Sequence, residues 1–376
     1  MALIVNLLPL LFSAALVYSD RSTVPLKSFK ISENVIYDCI DIYKQPGLDH
    51  PLLINHKIQT KPSFSPHDPS FSPHDPTNQT SNNATYKMKI ACPYGTVPIL
   101  RNTKGFNTNA QFFAEKYFNP LTADSPLTHI AGVRSESGPY RGVQAFFTAY
   151  NLDLRDDEAS YTQIYIGSGL NNEANFLMTG LMINPSLYGN DSVWTFGFWQ
   201  GKDGKGCYNT GCPGFVQISQ RVPIAHPLGM KPLESGNINP FIHQDKKTGN
   251  WWLSTLVYKA PMINIGYWPK ELFNLMDYGG NIVGAGGIVH ASSYGSSPAM
   301  GHGQFPKAIP TDGSTTFEDV QVMNSNYEPH RMDYFPIEKL LDSPQCYGIE
   351  IGINQPRHHD HRGFFFDVGG PGGNNC

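Results

Sequence analysis

The sequence predicts a mainly β protein, a sandwich or a barrel, and three observations carry this. Glycine (36) and proline (30) are frequent, and both punctuate a chain that turns often. Aromatic residues make up 12%, which suits pleated, half-buried surfaces. Beyond residue 130, short apolar runs recur at turn-marked intervals. The expected strands are Gly142–Tyr150, Ser160–Ser168, Asn175–Pro185, Ser192–Trp199, Gly214–Ile218, Trp251–Tyr258, Asn281–Ala291 and Gly363–Val368. In this half only Pro269–Tyr278 reads as a helix, with Pro269 suited to its start. The strand from Asn175 is oily on both faces: Phe176, Met178, Gly180 and Met182 alternate with Leu177, Thr179, Leu181 and Ile183. A half-wet strand would carry polar residues on one of them.

The first twenty residues, MALIVNLLPLLFSAALVYSD, have no charge before Asp20. The run is short and interrupted for a membrane span, and small residues precede a cleavage point after Ser19, so residues 1–19 read as a secretory signal peptide. Residues 20–125 then form a small α+β domain, with an extended run from Asn34 to Tyr43 and a short helix over Gln111–Tyr117. Inside it SFSPHDP occurs twice in tandem, at 63–69 and 70–76. Dense proline and polarity make 63–85 a disordered loop. His67, Asp68, His74 and Asp75 are read as a duplicated spacer rather than a metal site. FNPLTADSPLTH, 118–129, is a linker, and residues 126–376 form the β domain, a size one sandwich can hold.

A net charge of −4 gives no basic face for nucleic acid. The six cysteines, Cys39, Cys92, Cys207, Cys212, Cys346 and Cys376, read as disulfides in a secreted chain, with fifteen pairings open. Their spacing is not that of a zinc site. Sequons at Asn78, Asn83 and Asn190 are candidate glycan sites. His358, His359, Asp360 and His361 cluster in a segment read as an exposed loop. No GxSxG elbow occurs. The sequence asks for no metal and no cofactor.

The chain resembles the neprosin family of plants, secreted proteins with an N-terminal activation domain and a C-terminal glutamic-peptidase domain. The resemblance rests on DCIDIYKQPGLDHPLLINHKIQTKPSF and CPYGTVPILR in the first part. In the second it rests on NPSLYGN, GCYNTGCPGFVQ, GNWWL, IGYWPKELF, AMGHGQFP and FFFDVGGPGGNNC. It implies an antiparallel β-sandwich with a cleft on one concave face, covered by the N-terminal domain until that domain is removed. It pairs Cys207 with Cys212 and Cys346 with Cys376, leaving Cys39 with Cys92.

The family's chemistry uses two glutamates, one as general base and one as acid, their pKa values pushed apart by proximity. By motif the first falls on Met178 and the second on Ile288, with a neighbouring family tryptophan falling on Ala285. Neither replacement can exchange a proton. The resemblance therefore implies a pseudoenzyme, a secreted binder of Pro-rich peptide or cell-wall protein, with Met178, Met182, Trp251, Trp252 and Ile288 lining the cleft. The alternatives are a prolyl endopeptidase or other hydrolase using relocated carboxylates, or a structural or storage protein. Glu136, Glu158, Glu173, Asp191 and Glu350 are read as surface charges. The N-terminal domain is itself a partner of the cleft, and the protein is expected outside the cell, in wall or apoplast.

Overall fold

A computed structural model describes residues 24–64, 90–101, 127–169, 173–230, 235–257, 261–307, 315–352 and 363–376. The signal segment, residues 65–76 of the tandem repeats, Asn78, Asn83, Gln111–Tyr117 and the His358–His361 cluster lie outside them. Strand dominates. The N-terminal part contains β1 (Lys27–Lys30), β2 (Ile36–Asp41) and β3 (Thr96–Leu100), joined in one small sheet. Then follow β4 (Thr128–Ser135), β5 (Gly142–Tyr150), β6 (Ala159–Ser168), β7 (Asn175–Ile183), β8 (Trp194–Gln200), β9 (Gly206–Tyr208) and β10 (Val216–Gln217). Next are β11 (Ser235–Ile238), β12 (Pro240–Gln244), β13 (Trp251–Thr255), β14 (Ile263–Trp268) and β15 (Ile282–His290). The last are β16 (Thr315–Met323), β17 (Pro329–Arg331), β18 (Glu338–Leu341), β19 (Gly348–Ile351) and β20 (Phe366–Gly369).

These later strands form two antiparallel sheets. The first runs β18-β4-β15-β6-β7-β8-β9. The second runs β10-β14-β13-β12-β5-β16-β20-β19, with β11 on β5 and β17 on β16. Neither closes on itself, so of the two architectures open to the sequence the fold is the sandwich.

Period-two alternation decides which side of the first sheet meets the second. A Cβ on Gly287 would meet Met300 and Val368 of β20, and one on Gly197 would meet Ile224 and Trp268 of β14. Gly287, Gly197, Leu177, Thr179, Ile164 and Ala285 therefore face the inter-sheet core. Met178, Met182, Tyr161, Tyr165 and Ile288 point the other way. The oily strand at Asn175 is thus buried on both sides, and every residue of β7 is inaccessible.

The expected helix at Pro269–Tyr278 is a correction. Only a 3₁₀ turn, Lys270–Leu272, forms. Side chains take the N–H groups a helix would need: Asn250 Oδ1 accepts from Lys270, and Asn175 Oδ1 from Asn274 and Leu275 at 2.8 and 2.9 Å. Such bonds compete with helix. The loop expected from residue 63 is shorter than expected at its start, because Ser63 and Phe64 are docked on the sandwich. Three disulfides close the chain: Cys39–Cys92, Cys207–Cys212 and Cys346–Cys376.

Strand spacing is tight at Gly180, where a Cβ would lie 2.0 Å from the Thr162 carbonyl oxygen. Gly180→Ala must push β6 and β7 apart, an overpacking that costs about 1–3 kcal/mol. Thermal unfolding should show a clear fall in Tm for this variant.

Candidate functional site

Register places Met178 and Ile288, the positions on which the resemblance lays the two glutamates, on one sheet and one face. Met178 on β7 pairs with Tyr165 on β6, which pairs with Gly284 on β15. Ile288 on β15 pairs with Tyr161 on β6, which pairs with Met182 on β7. Met178 and Ile288 are therefore two strands and four residues apart, roughly 16 Å on a flat sheet. They are diagonal across the face, not cross-strand neighbours.

Three rows cross this face. One holds Glu338, Arg134, Gly284, Tyr165, Met178, Phe198 and Tyr208. Another holds Ile130, Ile288, Tyr161, Met182 and Trp194. Between them runs Leu340, Gly132, Gly286, Gln163, Gly180 and Phe196. The middle row is nearly bare of side chains, and its central residue is a glutamine. Met178 stands on one side of that row and Ile288 on the other.

The flanking rows are apolar and aromatic. Phe176 and Phe198 stack at 5.3 Å, Phe198 meets Tyr208 at 4.7 Å, and Tyr188 lies parallel to Trp194 at 4.2 Å. Asn184 Nδ2 donates to the Tyr161 hydroxyl, and Asn209 Nδ2 to that of Tyr188. Burial pushes the phenols of Tyr161, Tyr165, Tyr188 and Tyr208 upward, so all are hydrogen-bond donors at any ordinary pH. The Gln163 side chain has neither its Nε2 nor its Oε1 satisfied by a protein group, and the Tyr165 hydroxyl also lacks a partner. Sequence reasoning passed over both residues; a glutamine in an otherwise apolar run, YTQIYIG, was the available signal.

Carboxylates of this region are engaged elsewhere. Glu338, in the Met178 row, pairs with Arg134 at 2.6 Å, and Glu136 pairs with the same guanidinium at 3.2 Å. Glu173, Asp191 and Glu350 are exposed. Glu158 is a correction to the surface reading: it is buried, and its Oε2 accepts from the Arg155 N–H. Asn190 is partly buried, with Oδ1 accepting from Trp194 Nε1 and Nδ2 donating to the Tyr188 carbonyl.

Trp251 and Trp252 do not belong to this face, contrary to the cleft-lining expectation. Trp251 and Trp252 lie on β13 of the second sheet and are 1% and 0% exposed. Trp251 turns into the inter-sheet core, whereas Trp252 packs with Tyr267 and Val216 under Leu48 and Ile58. Ala285 is also away from the Met178 face, in the inter-sheet core.

The described N-terminal residues likewise sit on the second sheet and the nearby β8 edge. Gln45 Nε2 donates to the Gln217 carbonyl at 3.1 Å, while Gln45 Oε1 accepts the Gln217 N–H at 2.7 Å. Gly47 approaches so closely that a Cβ would meet the Phe215 carbonyl oxygen. Tyr37 donates to the Ala225 carbonyl, and Gln59 N–H to the Tyr267 hydroxyl. At the far end Ser63 Oγ donates to Asp245 Oδ1 at 2.9 Å, the Ser63 N–H donates to Asp245 Oδ2, and Phe64 meets Tyr327 edge-on. None of these contacts is with Met178 or Ile288.

The two sheets, the row of glycines and the N-terminal segment tied to the outer side of one sheet define an antiparallel sandwich carrying its own strap. The family profile described as Neprosin matches residues 156–371, and that described as Neprosin activation peptide matches 28–115. The chain belongs to the neprosin family. Among solved structures it is similar to Scytalido-glutamic peptidase with a peptide based transition state analog, at 11% identity, 64% of this chain, 97% of that chain and a TM-score of 0.36. It is also similar to SCP-B, a member of the Eqolisin family of peptidases, in complex with the tripeptide Ala-Ile-His, at 11% identity, the same coverages and a TM-score of 0.34. Among the described residues no group of His, Cys, Asp or Glu is arranged to hold a metal ion, and no helix is long and apolar enough to cross a membrane.

Burial pushes the Asp245 carboxyl up, but the hydrogen bonds from Ser63 and Thr248 outweigh it and hold the group below its ordinary value. A carboxyl held low stabilises above the unfolded value of about 3.9, and that contribution is lost as pH falls through the lowered folded value. Hydrogen exchange of residues 56–64, taken relative to the intrinsic amide rate at each pH, should therefore stay protected at neutral pH and lose protection below about pH 4. Asp245→Ala should quicken it at all pH values, consistent with a loss of about 1–3 kcal/mol.

Proposed function

We propose that this chain is a secreted neprosin-family protein whose peptidase face no longer hydrolyses and instead holds peptide. The observation that supports the reading is that Met178 and Ile288 share one face, on either side of the same row, at the positions where the resemblance puts the family's two glutamates. General acid and base assistance each contribute about 10²- to 10⁴-fold, and neither side chain can give or take a proton. Relocation to another carboxylate finds no support, since Glu338 and Glu136 are tied to Arg134. Binding needs shape and hydrogen bonds but no proton transfer, so a ligand site outlives the dyad. On this reading the ligand is a Pro-rich peptide or cell-wall protein. Residues 1–19 are a signal peptide, residues 20–125 an activation domain, residues 126–376 the binding domain, and Asn78, Asn83 and Asn190 carry glycans.

The test is cleavage. The full chain, incubated in acid with a Pro-containing peptide and followed by mass spectrometry, should release no product above buffer, even where its own N-terminal segment is cut away. Met178→Glu or Ile288→Glu alone should stay silent, because the pair acts as a unit. Acid-dependent cleavage by the unmodified protein that persists in Met178→Ala and Ile288→Ala would overturn the reading and return the search to other carboxylates.

A further inference from the structure

The Gln163 amide is 1% exposed, yet both of its polar atoms lack a protein partner. Leaving buried polar atoms unpaired costs about 1–3 kcal/mol each, so a chain keeps such a group where something outside the chain pairs with it. Its neighbours in the same row, Gly286 on one side and Gly180 on the other, have no side chains that could serve. Cβ atoms at Gly132 and Gly286 would lie 2.5 Å from carbonyl oxygens of the adjoining strand, so no side chain fits there. One residue along β6 from this row and one more, Tyr165 lays its ring over Gly284, and its hydroxyl is a second orphan.

A glutamine amide offers one donor and one acceptor side by side. The group that matches both is a single residue of an extended chain, whose own N–H and C=O point to the same side. The same molecule already contains this match, because the Gln45 amide donates to the Gln217 carbonyl and accepts the Gln217 N–H.

We propose that Gln163, with Tyr165 beside it, hydrogen-bonds the main chain of an extended peptide laid along the glycine row between Met178 and Ile288. The inference rests on the peptide-binding reading and deepens it by naming the contact. Recognition is of the backbone, so side-chain identity in the peptide matters little, and the anchored residue must be other than proline because it donates an N–H. Gln163 is closed to solvent in the chain as folded here, so affinity in the full chain is the intrinsic one scaled by the open fraction.

The experiment titrates the full chain, at neutral pH and after acid incubation, with a capped peptide of alternating proline and alanine. The control is the same peptide N-methylated at every alanine. Gln163→Leu should weaken binding of the first peptide roughly 10- to 30-fold, the equivalent of two hydrogen bonds. Tyr165→Phe should weaken it about 5-fold, the equivalent of one. N-methylation should weaken binding to the unmodified protein and make no difference to Gln163→Leu. Tm separates an anchor from a structural residue. Removing an unsatisfied amide should leave Tm of Gln163→Leu equal or higher, whereas a fall shows that the amide was satisfied inside the fold and overturns the inference. Unchanged affinity in Gln163→Leu overturns it while sparing the peptide-binding reading. No binding by the unmodified protein, before or after acid, overturns both.

Discussion

The backbones of β4, β15, β6 and β7 come too close for a side chain at Gly132, Gly286 and Gly180, and the arrangement of the first sheet follows from that constraint. A bare row in the middle of a sheet forces neighbouring rows to supply the packing. They do so with large groups: Tyr165, Met178 and Phe198 on one side, Tyr161, Met182 and Trp194 on the other. The opposite face has the complementary logic. There Gly287 and Gly197 make room for Met300, Val368, Ile224 and Trp268 from beyond the sheet, which lets the two sheets approach each other. One set of glycines thus makes a floor and the other makes a contact, and strand alternation keeps them apart.

The second sheet is used differently. Its outer face carries Val216, Tyr267 and Trp252 in one row, and the N-terminal segment covers it with Leu48 and Ile58. The hold is largely to main chain or through polar side chains: the paired amide of Gln45, the close approach at Gly47, the fan of bonds on Gln59, and Asp245 at the end. Those contacts explain why QPGLDHP and GNWWL occur in one chain. The first supplies Gln45 and Gly47, and the second supplies Asn250 and Trp252, whose side chains both donate to Gln59. The carboxylate at the far end makes that end of the strap sensitive to acid.

Strand content and class were legible because alternation and turn residues are local signals. Gly142–Tyr150 and Asn281–Ala291 fall within a residue or so of β5 and β15. The sequence said less about β12, β14 and β16, whose polar or glycine-broken runs, such as TTFEDVQVM, acquire strand geometry from their neighbours. The Pro269 segment looked helical because Pro269 suits a helix start, but the deciding bonds come from Asn175 and Asn250, the first of them far away in sequence. Face assignment fared likewise. That Trp251 and Trp252 sit in the other sheet, and that Ala285 faces the core, depends on strand order, which spacing does not encode. Gln163 was overlooked because a single amide in a buried strand has no pattern; only the emptiness on both sides of it makes it conspicuous.

On the proposed reading, the two replaced glutamates are part of a wider change in the electrostatics of the face. Met178 is inaccessible and sits in register between Tyr165 and Phe198; Ile288 sits between Ile130 and Tyr161. The one cation among the described residues of the three rows, Arg134, is occupied by Glu338 and Glu136. A carboxylate placed at either position meets desolvation, which favours its neutral form, and finds no free positive charge to oppose that. Two neutral carboxyls can each give a proton, but neither can take one. A family enzyme needs the pKa values of its pair split, one group on each side of the working pH. Here the surroundings push both the same way. On that reading the whole face, and not two positions alone, disfavours a working pair, and the uncharged amide of Gln163 is the kind of polar group such a face can keep without needing a charge to balance it.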